Sequence, residues 1–284
     1  MGNIINRKGF MKKFIISLLS VVVLLSCTKN EGVRVMSYNL RYGLADDGEN
    51  SWELRREASV RMLEDIRPDC FGVQEALDFQ IDYLLDNTDN YKYVGVGRED
   101  GKKSGECMAI FYSTSSLELL DWGTYWLSET PDIPSRGWDA ACRRTATWTL
   151  LKHKASGKQF FYVNTHLDHV GQIARKEGLS MVVRNISSMN PNDYPMILTG
   201  DFNVFPDDPC LEPLDRIMTS ARKAAVDSDE AGSFNNWESE RGDIIDYIYF
   251  KGFSGCSKFK VVREKYGDVP FISDHYPIYS DLVF

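Results

Sequence analysis

The chain has 284 residues, of which 43% are hydrophobic and 26% are charged, and its formal net charge at pH 7 is −8. This composition is that of an ordinary folded domain and excludes a collagen-like, coiled-coil or intrinsically disordered chain. Long nucleic acids bind mainly through basic surfaces that neutralise their phosphates, so this acidic balance argues against a high-affinity binder of duplex DNA.

The N-terminal segment is predicted to be a targeting signal that does not belong to the fold. Lys12-Lys13 precede an apolar run over residues 14–25, which is too short to span a bilayer and suits a secretory signal. The run ends in Leu-Leu-Ser-Cys27, which resembles a bacterial lipobox. We therefore expect residues 1–26 to be a lipoprotein signal peptide, residues 27–32 a tether, and lipidated Cys27 an anchor on the non-cytoplasmic side of the bacterial cell envelope. The alternative is an ordinary signal peptide followed by an incidental cysteine.

From residue 33 onwards, short apolar and alternating runs predict many strands with a few helices between them. A strand over 33–38 is followed by a helix over 52–66, whose apolar residues recur at helical spacing and which Pro68 ends. The next predicted elements are a buried strand over 70–73, a helix over 79–85, strands over 91–96, 107–112, 117–125, 144–151 and 160–164, a helix over 172–188, and strands over 195–199, 244–250, 258–262 and 276–281. No linker or repeat interrupts this series, which predicts one domain of mixed sheets covered by helices.

The cysteine pattern favours neither a disulfide framework nor a metal motif. Five cysteines follow Cys27, and none of them forms a C-x-x-C pair. Cys70 and Cys107 lie inside apolar runs, where a free cysteine behaves as a small hydrophobic residue. A domain of this size does not need a disulfide framework, although a single bridge stays open.

Polar side chains recur where predicted strands end. The run over 160–164 continues into Thr165-His166-Leu167-Asp168, and the run over 195–199 continues into Gly200-Asp201-Phe202-Asn203. Four further strand ends offer an amide, a carboxylate or an imidazole, namely Asn39, Glu75, Asp246 and Asp274-His275. One such cluster could simply satisfy a turn, but six clusters are hard to explain as independent turns. Since catalytic groups are well held on rigid strands, we predict one shared site. His153, in a predicted hairpin, is instead expected at the surface.

This residue set favours phosphoryl chemistry assisted by a divalent cation. Carboxylate and amide oxygens are hard ligands that suit Mg²⁺ or Mn²⁺. A cation of this kind offsets phosphate charge, while imidazoles hold the phosphate oxygens and a carboxylate activates water. The sequence contains no H-E-x-x-H, G-x-S-x-G, P-loop or G-x-G-x-x-G motif. The pair His166-x-x-His169 is a weak zinc signal, because a strand end does not place residues i and i+3 on one face.

The ordered set of motifs resembles the endonuclease/exonuclease/phosphatase superfamily, which is the DNase I-like group. The resemblance rests on Tyr38-Asn39, Gln74-Glu75, Asn164-Thr165-His166-Leu167, Gly200-Asp201-Phe202-Asn203, Asp246-Tyr247 and Ser273-Asp274-His275, in this order. It implies a four-layer α/β sandwich of two mixed β-sheets covered by helices, formed by residues 33–284, with the site at one end. The segment Asn39-Leu40-Arg41-Tyr42-Gly43 further resembles secreted bacterial members related to the Ccr4/nocturnin-like group. The acidic stretch over 46–50 is expected to be a solvated loop on the substrate side.

The resemblance also implies which residues hold the metal and activate water. Glu75 would be the principal metal ligand, with Asn39 beside it and Asp274 at a second metal position. Asp201 would orient or deprotonate the attacking water, and Asn203 would hold a phosphate oxygen.

The remaining implied roles concern phosphate binding. His166 and His275 would bind the phosphate and stabilise the charge that grows in the transition state. Asp246 would orient His275, and Glu106 would pair with His166. An arginine before the strand over 144–151 would also bind phosphate; Arg144 is preferred, with the adjacent Arg143 as the alternative.

The implied activity is the hydrolysis of phosphate esters by water attack at phosphorus, with the substrate left open. A phosphatase, a lipid phosphodiesterase and an exonuclease or endonuclease acting on single-stranded RNA or DNA would share these residues. Ser104-Gly105 stands where nuclease-type members have a tyrosine. Five aromatic residues could stack on a substrate or pack inside the fold, and these are Trp122, Tyr125, Trp126, Trp138 and Trp237.

The rival from another class is a lipid-anchored binding protein that keeps the fold without turnover. Relics of enzymes usually lose an acid or a histidine of the site, whereas every expected position is filled in this chain. The sequence therefore favours an enzyme, and we expect it to act as a monomer.

Overall fold

The computed structural model describes residues 1–2, 32–238 and 242–284. Residues 3–26 of the predicted signal peptide, Cys27 and all but the last residue of the predicted tether therefore lie outside the described residues. Within the described ranges, we find no helix with both the length and the apolar character that a bilayer crossing requires.

Thirteen strands and five α-helices build the described part of the chain. In chain order they are β1 (Gly32–Asn39), α1 (Trp52–Ile66), β2 (Cys70–Gln74), α2 (Asp78–Asn87), β3 (Tyr91–Val94), β4 (Ile110–Ser113), β5 (Leu117–Trp126), β6 (Thr145–His153), β7 (Gln159–His166), α3 (Gln172–Met189), β8 (Met196–Asp201), α4 (Glu212–Asp215), β9 (Thr219–Ser220), α5 (Ala221–Ala224), β10 (Asp227–Ser228), β11 (Asp246–Lys251), β12 (Gly255–Val261) and β13 (Ile278–Val283). Two short 3-10 helices, Gly48–Asn50 and Pro209–Leu211, lie in the connecting loops.

The strands form two mixed sheets. Seven strands make the first sheet in the order β10-β12-β13-β1-β2-β4-β3, and six make the second in the order β5-β6-β7-β8-β11-β9. The pairs β1–β2 and β7–β8 are parallel, whereas β13 runs antiparallel to β1 and β11 antiparallel to β8. One edge of each sheet therefore collects the carboxyl ends of two strands and the start of a third.

The two sheets pack face to face, and helices cover their outer faces. Between the sheets, Val35 and Ile110 of the first sheet share an apolar cluster with Tyr162 and Ile248 of the second. Helices α1 and α2 cover the first sheet through a second cluster, and α3 covers the second sheet through a third. This arrangement confirms the predicted four-layer α/β sandwich of two mixed β-sheets.

Two buried amides join the sheets close to the edge where the polar residues gather. The Gln74 side chain donates to the Asn164 side-chain oxygen at 2.7 Å, and Asn164 donates to the Val73 carbonyl at 2.8 Å. The close approach of the Asn164 side chain to β2 requires glycine at position 72, because an added Cβ there would lie 2.4 Å from that side chain. Asn164, part of a sequence motif, therefore fixes the spacing between the sheets.

The predicted elements agree closely with the observed ones. The helix over 52–66 has its predicted bounds, and it ends where Arg67 adopts a left-handed conformation (φ 51°) directly before Pro68. The unpredicted elements are two to four residues long, namely β9, β10, α4 and α5. Segments of this length carry no periodic pattern, and tertiary contacts decide their conformation.

The expectation for His153 was wrong, whereas the cysteines behave as predicted. His153 does lie at a hairpin, but it is 3% exposed, its ring packs 5.5 Å from that of Phe284, and burial lowers its pKa. Its hydrogen-bond partner is Ser156, at 2.9 Å from the Nδ1 atom. His153 is buried although it lies at a hairpin, because Phe284 at the end of the chain covers this turn. The five cysteines in the described ranges are all free.

Candidate active site

The polar strand ends meet in one cavity at the edge described above. Asn39 lies opposite Gln74 in the parallel pair β1–β2, and His166 lies opposite Asp201 in the parallel pair β7–β8. Asp246 is opposite Asp201 at the start of β11. The cavity is lined by Arg41, Glu75, Arg98, Glu106, Cys142, Arg144, His166, His169, Asp201, Asn203, Phe234, Asn236, Ile245, Asp274 and His275. The sheet topology thus unites most of the residues selected from the sequence.

Asn39 connects the two carboxylates at the centre of the site. Its side-chain nitrogen donates to Glu75 and to Asp201, at 3.0 Å in each case. The second oxygen of Glu75 accepts from the Tyr42 backbone N–H at 2.7 Å. Burial and the neighbouring Asp246 raise the pKa of Asp201 to about 7. Asp201 is therefore a carboxyl group poised to exchange a proton near neutral pH.

His275 and Asp246 form a buried ion pair. The Asp246 carboxylate lies 2.8 Å from Nδ1 of His275, and both side chains are almost fully buried. Burial alone would lower the pKa of His275, but Asp246 and Asp201 together raise it well above its ordinary value. The imidazole is thus held as a cation, and its Nε2 atom lies 3.7 Å from Asp201.

His166 lies on the opposite side of Asp201 and is neutral. Its Nε2 atom is 3.4 Å from Asp201 and 3.0 Å from the Asn203 side-chain nitrogen, which also donates to the Leu167 carbonyl. Since that amide donates to both neighbours, His166 carries its proton on Nδ1, and Nδ1 has no hydrogen-bond partner in the described part of the chain. Burial and the guanidinium of Arg144 hold the pKa of His166 well below its ordinary value.

Glu106 lines the cavity but does not make the predicted pair with His166. Both of its oxygens instead accept from Arg98, at 2.7 Å each, and burial raises its pKa although Arg98 opposes the shift. Arg98 pairs with Glu106 in place of His166, because a bidentate guanidinium–carboxylate pair is stronger than a single contact with a neutral imidazole. No sequence motif pointed to Arg98, which lies in a loop after β3.

The two candidates for the phosphate-binding arginine, Arg143 and Arg144, lie in different cavities. Arg144 is 5% exposed and lines the cavity beside His166, while Arg143 pairs with Glu99 in an adjoining cavity. Arg144 donates to Asp168 at 3.3 Å and to Nδ1 of His169 at 3.0 Å. Asp168 belongs to the predicted polar strand end after β7, and His169 to the weak zinc signal, but neither pattern predicted their contact with Arg144.

Arg41 places a cation on the metal side of the cavity. It forms a bidentate pair with Asp47, at 3.0 and 2.9 Å, and lies 3.3 Å from Asp274. Burial raises the pKa of Asp274, Glu75 raises it further, and Arg41 opposes the shift. The acidic stretch over 46–50 thus contributes Asp47 to the site wall and is not simply solvated.

Four residues of the cavity have left-handed backbone conformations that residues with a side chain rarely adopt. They are Arg41 (φ 61°), Glu75 (φ 59°), Asn203 (φ 52°) and Asn236 (φ 49°). Such conformations cost about 1–3 kcal/mol each and are concentrated at functional sites, where the surrounding structure holds them. Hydrogen bonds from the Glu75 and Asn203 side chains into the site supply this support.

The donor set of the cavity fits a divalent cation. Ligand atoms of Glu75, His166 and Asp201 lie within 4.8 Å of one another, and so do those of Asp201, Asp246 and His275. Several carboxylates lie close together in one buried place, and burial together with the charges of Asp246 and Glu75 raises the pKa of Asp201. A divalent cation would offset these charges. Of the predicted ligands, Glu75 lies at this place and Asp274 lies beside Arg41. Asn39 faces the two carboxylates with its amide nitrogen, while its oxygen accepts from the Arg41 backbone N–H.

The five aromatic residues that could stack on a substrate lie outside this cavity. Trp122, Tyr125 and Trp126 belong to β5, and none of the five candidates lines the cavity. Phe234 does so instead, with its ring 4.9 Å from that of His275.

Comparisons with known proteins agree with this geometry. A model of the Endonuclease/Exonuclease/phosphatase family matches residues 36–275. The structure of a mannosyl-6-phosphatase from Bacteroides thetaiotaomicron is similar, with 33% sequence identity, a TM-score of 0.85, and coverage of 89% of this chain and 100% of that chain. Protein L388 of Acanthamoeba polyphaga mimivirus is 25% identical, over 80% of this chain and 90% of its own length. Nocturnin of Drosophila melanogaster is also 25% identical, over 81% of this chain, which spans only 42% of that protein. Since the model match covers most of its length, the chain belongs to the endonuclease/exonuclease/phosphatase family.

Proposed function

We propose that the protein is a phosphoric ester hydrolase that requires Mg²⁺ or Mn²⁺ and prefers phosphomonoesters of small hydroxylated molecules. The observation that carries this proposal is the position of Asp201 between two imidazoles, of which one is a cation and the other is neutral. His275 is held as a cation by Asp246, while His166 is kept neutral by burial beside Arg144. This arrangement supplies a proton acceptor and a fixed positive charge within 4 Å of each other.

Asp201 would orient the attacking water and accept its proton. Its carboxylate lies 3.4 Å from Nε2 of His166 and 3.7 Å from Nε2 of His275, and a cation bound beside it would favour the ionised, basic form. The water oxygen forms a bond to phosphorus, the ester P–O bond breaks, and the alcohol leaves with a proton from solvent. The Asn203 backbone N–H donates to Asp201 at 3.0 Å and fixes the carboxylate orientation.

Cationic and amide groups would hold the phosphate oxygens. His275 presents Nε2 towards Asp201, and Arg144 has an Nη1 atom that is buried without a partner among the described residues. Donors that are already oriented stabilise the transition state without reorganisation. A bound divalent cation, held by Glu75 and Asp201, would neutralise phosphate charge and lower the pKa of a bound water.

Four observations support a phosphomonoester over a nucleic acid. The relative that is 33% identical over nearly the same length is a mannosyl-6-phosphatase. The cavity also collects the guanidinium groups of Arg41, Arg98 and Arg144, which suit the two charges of a terminal phosphate. In addition, Ser104-Gly105 lacks the nuclease-type tyrosine, and the acidic chain is unfavourable for long nucleic acids.

We also propose that the enzyme works as a monomer at the outer side of the bacterial cytoplasmic or outer membrane, anchored through Cys27. The support is the lipobox-like ending at Cys27. Membrane fractionation of cells that express the full chain tests this placement. We expect Cys27→Ser to move the protein from the membrane to the soluble fraction, and equal partitioning of both forms would contradict the anchor.

The test of the activity is a substrate panel with Mg²⁺, Mn²⁺ or EDTA. It compares p-nitrophenyl phosphate, bis(p-nitrophenyl) phosphate, hexose 6-phosphates and a single-stranded RNA oligonucleotide. We expect metal-dependent phosphate release from the monoesters and a loss of activity in Glu75→Gln with an unchanged circular dichroism spectrum. Faster cleavage of the diester or the RNA would overturn the monoester preference. Inactivity on every substrate would favour the binding-protein alternative.

A further inference from the structure

One wall of the cavity is held rigidly by Asp168. This carboxylate is 1% exposed and accepts from the Arg144 side chain as well as from backbone N–H groups. The backbone donors are Ala141, Cys142, Val170 and Gly171, at 2.8 to 3.2 Å. These hydrogen bonds lower the pKa of Asp168, although burial opposes them. They join the loop before β6 to the loop after β7, so the wall is fixed before any ligand binds.

Arg144 determines which nitrogen of His169 carries the proton. Its Nη2 atom lies 3.0 Å from Nδ1 of His169, and a guanidinium can only donate. Nδ1 therefore accepts from Arg144, which leaves Nε2 as the N–H donor of the ring. His169 is exposed and lines the cavity, so it offers the cavity an N–H donor whose orientation is set by Arg144.

The same wall is unsuited to a metal ion, although its residue types suggest one. Ligand atoms of Cys142, Asp168 and His169 lie within 4.8 Å of one another. However, the Asp168 oxygens are occupied by five donors, and Nδ1 of His169 is occupied by Arg144. A guanidinium in contact with both Asp168 and His169 would repel a cation. The cluster therefore acts through its hydrogen-bond donors.

A second cavity adjoins the first one at Cys142. It is lined by Glu99, Arg136, Ala141, Cys142 and Arg143. Glu99 and Arg143 form an ion pair that is partly exposed, and Arg98 lies 3.5 Å from Glu99. The Glu99–Arg143 pair presents an acceptor and several donors, and Arg136 adds a further donor to the lining. Such a set suits hydroxyl groups, which donate and accept at once.

We propose that His169 together with the Glu99–Arg143 pair forms a leaving-group subsite for a polyhydroxylated, sugar-like alcohol, in which His169 is the specificity-determining donor. The inference rests on the proposed phosphatase function. The subsite lies beside Arg144, so an alcohol bound there is next to the phosphate that Arg144 contacts. The N–H donor at Nε2 binds a hydroxyl oxygen of the substrate, and the ion pair binds hydroxyls farther from the phosphate.

The test compares a hexose 6-phosphate with p-nitrophenyl phosphate, which carries no hydroxyls on its leaving group. Three variants of the full chain are measured beside the wild type, namely His169→Leu, His169→Gln and Glu99→Gln. Glutamine can accept from Arg144 and donate to a substrate, so His169→Gln is the conservative variant. Arg184→Leu, which replaces an exposed α3 residue outside both cavities, is the control for surface substitution.

We expect His169→Leu to lower the ratio of kcat/KM for the hexose phosphate over the aryl phosphate about tenfold, mainly through KM, since one hydrogen bond is lost. His169→Gln should restore most of that ratio, and Glu99→Gln should lower it about threefold. An unchanged ratio in His169→Leu would overturn the inference while leaving the phosphatase proposal intact. Tight binding of Zn²⁺ that is lost in His169→Leu would also overturn it, in favour of a metal site. If no phosphate ester is hydrolysed, the proposed function itself fails.

Discussion

The two walls of the cavity are built in different ways. The carboxylate wall consists of Glu75 and Asp201, with Asp246 behind them; all three lie at or beside strand termini, and burial together with Asp246 raises the pKa of Asp201. The guanidinium wall consists of Arg98 and Arg144, which lie in loops or at a strand start and are held by acidic partners. The first wall suits a metal and water, and the second suits an anion and its leaving group. Placing opposite charges on opposite walls orients a phosphate ester between them.

The largest effect should come from the carboxylate wall. Asp201→Asn removes the proton acceptor and one metal ligand while it keeps the size of the side chain. We expect kcat to fall about 10²–10⁴-fold, the range for loss of a general base. Steady-state kinetics on a hexose 6-phosphate measures the change, with circular dichroism as the control for folding. A variant that keeps more than a tenth of the wild-type kcat would show that the wall does not activate water.

On the guanidinium wall, the geometry of Arg144 should matter more than its charge. Arg144→Lys keeps the cation, but a lysine cannot contact Asp168 and His169 together and still reach a phosphate. We expect KM for phosphomonoesters to rise about tenfold, with a smaller change in kcat. A Lys variant with wild-type KM would mean that only charge is required at this position.

Asp168 should contribute stability rather than chemistry. Because its pKa is depressed in the folded state, its contribution is present above the unfolded pKa of about 4 and is lost as the pH falls through the folded pKa. We expect Asp168→Asn to lower the free energy of unfolding by about 1–3 kcal/mol at pH 7. Urea unfolding at pH 7 and pH 3.5 should show a smaller difference at the lower pH. A difference that grows at pH 3.5 would contradict this assignment.

The smallest effect is expected at the opposite end of the sandwich. His153 is buried beside Phe284, far along β6 from the cavity, and its own burial disfavours the charged imidazole. His153→Leu should change the free energy of unfolding by less than about 1.5 kcal/mol and leave kcat/KM unchanged. Thermal unfolding and the hexose phosphate assay measure both quantities. A large loss of activity would mean that the two ends of the sandwich are coupled.

The same comparison explains what could be predicted from the sequence. Asn39, Glu75 and Asp201 lie at or directly after the ends of apolar strands, and Asp246 begins one, so strand patterning was enough to bring them to one edge. The partner of Glu106 could not be predicted, because the loop after β3 has no periodic pattern that would place Arg98 beside it. His153 was misplaced for a similar reason, since its burial depends on contact with Phe284 at the chain end. Local pattern determines the strands, and long-range contacts between loops determine which polar groups pair.

The most direct test of the central claim is metal removal and return with a single preparation of the enzyme. The protein is dialysed against EDTA, and phosphate release from a hexose 6-phosphate is then followed before and after Mg²⁺ or Mn²⁺ is added. We expect hydrolysis to stop without the metal, to return when it is added, and to stay absent in Glu75→Gln at the same metal concentration. Hydrolysis at an unchanged rate in the metal-free protein would contradict the account.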